Sequence, residues 1–234
     1  MKNGRIYLSS PVNALVEGIY EQNISFAEIK RHGDFGLGTF NDLDGEMMML
    51  DGRVFQITAE GNVNRIGEDA LTPFSCVTFF EAMTTDSLAG EICHDDFLKW
   101  LDSLIPSTNI FYAVRIEGLF NEVRTRSVPK QDNYRPFVDV AQDQAVFHFH
   151  EIEGTLAGFY TPPFMASLNV PGWHLHFLSS DMKHGGHLLE CRPRNIDVGI
   201  QLLPTLELAL PIGLDYLTCD FVRDTESDLN KAEK

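Results

Sequence analysis

Apolar residues near the start of the chain recur at helical spacing: Val12, Leu15, Val16 and Ile19. Pro11 in front of them suits a first helical turn. A short strand over 6–10 precedes this helix, and a second short helix-like stretch ends near residue 31. Glycines at 33, 36, 38 and 45 then punctuate the chain. Met47–Leu50 and Arg53–Ile57 are apolar runs separated by Asp51-Gly52, a strong local hairpin signal. Glu46 is therefore expected at the start of a hairpin strand. The spacing predicts a helix over 86–104 and a strand over 110–117. From 118 to 128, Val123, Thr125 and Ser127 alternate with Arg124 and Arg126, which predicts another strand.

The charged, proline-containing stretch 129–136 reads as a loop. It is the candidate boundary between an N-terminal α/β subdomain, 1–135, and a C-terminal one, 136–234. Beyond it, 146–150, 154–160 and 172–178 read as strands broken by Gly and Pro, and 196–210 alternates enough to be strand. The last eleven residues are polar and charged. The class expected is α/β or mixed α+β, with two subdomains each built on a mixed sheet and packed helices.

With 234 residues, 44% of them hydrophobic, the chain has material for a sizeable core. Acidic residues outnumber basic ones 34 to 18, a net charge of −16 that repels phosphate backbones and argues against nucleic acid. No apolar stretch reaches roughly 18 residues, the length of a membrane span. The N-terminus lacks the apolar run of a secretory signal, so a cytoplasmic protein is expected. None of the four cysteines forms a CxxC pair, and free, mostly buried thiols are the default.

Candidate chemistry gathers in the histidines, six of whose eight lie from His148 to His187. His174 and His176, two apart on a strand, point to one face and can converge on an ion. His187 follows eleven residues after His176, far enough for a turn to bring it back, and Gly185-Gly186 suits that turn. Three neutral imidazoles with one position left open are the pattern of catalytic zinc. His148-Phe149-His150 has the same spacing on an ordinary amphipathic strand, while His184 and Cys191 are further competitors. Glu46 is a candidate acid or base, and on pattern equally a surface hairpin charge. Arg124 and Arg126 share a strand face and can grip a carboxylate, or else pair at the surface. Thr39 reads as a strand threonine.

Several segments in order resemble the acetolactate decarboxylase family. They are Gly38-Thr39-Phe40-Asn41-Asp42-Leu43-Asp44-Gly45-Glu46, Leu71-Thr72-Pro73-Phe74, Thr125-Arg126-Ser127-Val128-Pro129, residues 154–162, Pro171-Gly172-Trp173-His174-Leu175-His176-Phe177 and Gly185-Gly186-His187. Each is weak alone; together they span nearly the whole chain. The resemblance implies a homodimeric carboxy-lyase acting on 2-acetolactate, with zinc on His174, His176 and His187. It implies that Glu46, Arg126 and Thr39 face the substrate and that His148 and His150 belong to the scaffold. It also implies a glutamate near the C-terminus at the metal, best matched by Glu233, with Glu226 as a rival. A zinc-dependent hydrolase on the same three histidines is the alternative function.

Overall fold

The computed structural model describes residues 4–133, 135–222 and Leu229. Two sheets face one another, and the class is mixed α+β. The first has seven strands in the order β12-β1-β6-β2-β3-β4-β5. These are β1 (Arg5–Leu8), β2 (Phe35–Thr39), β3 (Glu46–Leu50), β4 (Arg53–Ile57), β5 (Val63–Ile66), β6 (Ser75–Thr78) and β12 (Thr205–Leu208). The second has five in the order β10-β9-β8-β11-β7: β7 (Thr84–Ala89), β8 (Phe111–Ser127), β9 (Ala145–Thr161), β10 (Gly172–Ser179) and β11 (Gly185–Leu203). Parallel and antiparallel pairings mix only in the first sheet, where β1 and β12 run parallel; every pairing of the second is antiparallel. Sheet membership follows pairing rather than chain position: β8 precedes the 129–136 loop yet pairs with β9 and β11 beyond it.

The 51–52 hairpin forms as predicted. Asp51 and Gly52 take φ of 50° and 71°, the left-handed pair of a type I′ turn, and Leu50 faces Arg53. The helix predicted over 86–104 is shorter than its periodicity suggests. Residues 84–89 are β7, paired with 195–200 of β11, and the helix occupies only His94–Leu104. Cross-strand pairing wins over helical periodicity there. The helix proper starts with Asp95 and Asp96 in its first turn, favourable beside the positive end of its dipole. It buries Phe97 and Leu101, one turn apart, against Ile116, Phe120 and Ile196. The strands expected separately over 110–117 and 118–128 are one, β8, and those over 146–150 and 154–160 are one, β9. Pro204, with no N–H for a ladder, separates β11 from β12 within the stretch expected as a single strand.

β10 pairs with β9 and also with β11, so β8, β9, β10 and β11 close into a four-stranded ring. The largest core cluster lies between this ring and the first sheet, with Ile6, Leu37, Met48 and Phe55 from one side and Ala113, Phe159 and Leu178 from the other. Alternation along β3 sends Met47 and Met49 to the outer face, against the short helix Phe26–Ile29, and turns Glu46 and Met48 toward the ring. No helix among the described residues is long and apolar enough to cross a membrane.

Candidate metal centre and active site

Register across the ring builds the site. His176 on β10 stands opposite His187 on β11, and His187 stands opposite Arg126 on β8. His174, two residues along β10, shares the face of His176. All three histidines are buried, each has a ligand nitrogen within 4.8 Å of the others, and His174 Nε2 and His187 Nδ1 are 3.2 Å apart. The turn that returns the chain lies at 180–184, with Met182 at φ 57°, so Gly185 and Gly186 are not in it but open β11, where Gly186, at φ 134° and close to the Arg126 carbonyl, takes a conformation open to glycine.

His176 Nδ1 lies 2.9 Å from the Met47 carbonyl, so it carries the ring proton and donates it. That leaves Nε2 unprotonated. It is buried, makes no hydrogen bond, and lies 3.5 Å from Glu46 Oε2. A buried, unprotonated ring nitrogen facing two other imidazoles is the donor set a borderline metal ion takes, and the residues present fit zinc. Burial, and then the nearby Arg126 charge, lowers the His174 pKa to about 3. Burial, His174 and Arg126 together hold His176 well below the ordinary range, against the opposing pull of the Met47 carbonyl. Neutral imidazole is the form that binds metal.

Glu46 reaches this cluster from the other sheet. The tight turn before it has left-handed backbone at Asp42 (φ 63°), Leu43 (φ 53°) and Gly45 (φ 82°), and sets Glu46 opposite Thr39. The Thr39 hydroxyl closes the turn by donating to the Gly45 carbonyl at 2.7 Å. Arg126 Nη1 donates to Glu46 Oε1 at 2.7 Å, a pair in which both residues are buried. Thr39, Glu46, Arg126 and His174 line one small cavity of about 30 Å³, closed by apolar groups such as Leu43, Val128 and Val170.

The competitors lie elsewhere. Arg124 faces outward, 3.5 Å from Glu190. His148 and His150 are exposed on β9, and exposed His184 packs on Phe149. Cys191 is buried outside the histidine group, and burial pushes its thiol far above the usual range. Glu226 and Glu233 lie outside the described residues. Sequence reasoning missed the Met47 carbonyl, because a backbone partner leaves no mark in residue type. It also missed Leu43, Val128 and Val170, which read simply as core.

Comparison with known proteins agrees with this architecture. The family model described as alpha-acetolactate decarboxylase matches residues 6–223. The alpha-acetolactate decarboxylase of Methanosarcina mazei is 37% identical over 98% of this chain and 80% of its own length. That of Methylococcus capsulatus is 39% identical over 97% of this chain and 88% of its own. The crystal structure of the Bacillus subtilis strain 168 enzyme superposes with a TM-score of 0.95 at 34% identity, covering 98% of this chain and 99% of that one. A match of this extent in sequence and in fold places the chain in the alpha-acetolactate decarboxylase family, whose members are carboxy-lyases.

Proposed function

We propose that this protein removes CO2 from 2-acetolactate to give acetoin, with a zinc ion on His174, His176 and His187. The observation that carries the reading is the meeting of three buried imidazoles with Glu46 and Arg126 in a chain whose relatives are decarboxylases. On the same resemblance the enzyme is read as a homodimer.

2-Acetolactate is a β-keto acid. Breaking its carboxyl bond sends an electron pair toward the neighbouring ketone oxygen, and the site must stabilise that charge. Zinc, when bound, supplies a Lewis acid next to the developing charge. Arg126 is assigned to orienting the departing carboxylate, since a guanidinium presents several donors in one plane. Glu46, held through Oε1 by Arg126, has Oε2 on the histidine side and is assigned to pass a proton from water to the carbon that loses CO2. Thr39, whose hydroxyl proton is engaged by Gly45, presents its oxygen lone pairs to the cavity as acceptors. Apolar walls exclude water, which strengthens each of these interactions. Glu233 is kept as a second candidate acid from the family resemblance alone. The atoms balance: one carboxylate and one proton yield acetoin and CO2.

The test is acetoin formation from racemic 2-acetolactate by purified protein, before chelation, after chelation and after zinc restoration. Rapid formation, lost on chelation and recovered with zinc, is the expected result. Zinc-loaded protein that forms acetoin no faster than the spontaneous background overturns the reading. A screen of ester and amide substrates then tests the hydrolase alternative.

A further inference from the structure

Glu46 owes its place to an uncommon piece of backbone. Two successive residues that are not glycine, Asp42 and Leu43, are left-handed, and Gly45 follows at φ 82°. Left-handed backbone is rarely populated by residues such as leucine and persists only where the surroundings hold it. The turn delivers both Leu43 and Glu46 to the small cavity. Its start is held by backbone: the Asp42 N–H donates to the Tyr20 carbonyl at 3.0 Å, and the Gln131 N–H donates to the Asp42 carbonyl at 2.7 Å. Its end, next to Glu46, is held by side chains. Thr39 Oγ1 donates to the Gly45 carbonyl at 2.7 Å, and Gln56 Nε2 donates to the Asp44 carbonyl, also at 2.7 Å.

Gln56 is out of keeping with its surroundings. It stands on β4 opposite Met47 and two residues from Val54, on the face where Met47, Met49 and Val54 form an apolar cluster. It is 8% exposed. A buried amide among such neighbours is unfavourable unless its polar atoms are bonded. Nε2 is engaged by Asp44, and Oε1 accepts from Asn64 Nδ2 at 3.3 Å on the neighbouring β5. We propose that Gln56 is a positioning residue for the reaction. It fixes the Asp44 carbonyl, and with it the direction in which the chain leaves the turn. The Glu46 carboxylate is thereby held between Arg126 and the histidines. Gln56 itself does not line the cavity and acts only through the turn. The inference rests on the decarboxylase reading and on the role given there to Glu46.

The experiment is a double-mutant cycle on zinc-loaded protein with 2-acetolactate, using Gln56→Met, Glu46→Gln and the two together, at raised enzyme concentration for the slow variants. Methionine keeps the length of the side chain and removes the donor. A misplacement of about 1 Å can lower a rate about a hundredfold, so kcat is expected to fall at least about tenfold in Gln56→Met. KM should change by less than about twofold. Zinc content should stay at one per chain, because the three histidines are untouched. In the Glu46→Gln background the same substitution should change kcat by less than about twofold, since the carboxylate it serves is gone. An equal fall in both backgrounds marks a merely structural defect and overturns the proposal, as does folded Gln56→Met with the wild-type kcat. Where Gln56→Met does not fold, Asn64→Ala, at an exposed residue, frees the Gln56 amide instead. A fall in kcat of about threefold that is absent beside Glu46→Gln supports the proposal, and no fall overturns it. Either failure with an active wild type leaves the decarboxylase reading standing. Wild type that forms no acetoin above background overturns both.

Discussion

Glu46 is where the two sheets meet chemically. It comes from β3 of the first sheet, yet its partners Arg126 and His176 belong to the ring. A buried ion pair adds little net stability, but removing one member strands the other's charge, at a cost of about 3–5 kcal/mol. Glu46→Gln keeps the shape and one hydrogen bond but removes the negative charge beside Arg126. We expect acetoin formation to fall by about a hundredfold or more, as for loss of a general acid or base. Zinc content should stay at one per chain, because the three histidines are untouched. Stability should fall by about 3 kcal/mol in urea unfolding. A zinc-loaded Glu46→Gln protein with full activity removes Glu46 from the chemistry. One with low activity and little zinc shows instead that its role is to hold the metal site.

Among the elements, the pairing of β9 with β10 sets where the first two candidate ligands sit. Gly158 faces Leu175, and a Cβ at Gly158 would overlap the His174 carbonyl oxygen. Gly158→Ala must therefore push β10 away just where it carries His174 and His176. The expected loss is about 3 kcal/mol of stability, the upper part of the ordinary range for point mutants. Zinc should bind about tenfold or more weakly, as when the support behind a ligand is lost. Gly213→Ala is the control: nothing lies within 4 Å of the added carbon, and its φ of −65° is ordinary. Denaturant melts and zinc titrations of both variants check this, and equal behaviour of the two refutes it. What was legible in the sequence follows the same division. His174 and His176 were readable because strand period puts them on one face, and Asp51-Gly52 because its turn chemistry is local. The alignment of His176, His187 and Arg126 across three strands was not readable from periodicity, since register is fixed by tertiary pairing. The same pairing turned residues 84–89 into strand against their helical spacing.

For the whole molecule, the three candidate ligands sit on two strands, β10 and β11, whose pairing closes the ring, so metal binding there would be linked to folding. Zinc at a hundred times its dissociation constant should add about 2.7 kcal/mol, seen as a higher melting temperature that chelation reverses. The metal-free fold has a matching dependence on pH. His174 has its pKa lowered to about 3 and His176 lies well below its ordinary value, whereas both titrate near 6.5 in the unfolded chain. Below pH about 6.5 the unfolded chain therefore binds protons that the folded one refuses. Stability is present above that pH and is lost as pH falls, by up to about 1.4 kcal/mol per pH unit for each histidine. Ordinary carboxylates titrate near pH 4, so pH 7 to 5.5 is the window in which histidines dominate. Urea unfolding of chelated protein should show a loss of about 2.5 kcal/mol across that window from these two groups. His94, also lowered by burial, adds to the loss with the same sign. The decisive reading is thus a difference. His174→Gln should shrink the pH-dependent loss by about 1.2 kcal/mol. An unchanged loss in that variant shows that the metal-free fold does not hold His174 neutral, and that the imidazoles are readied for metal only as the metal binds.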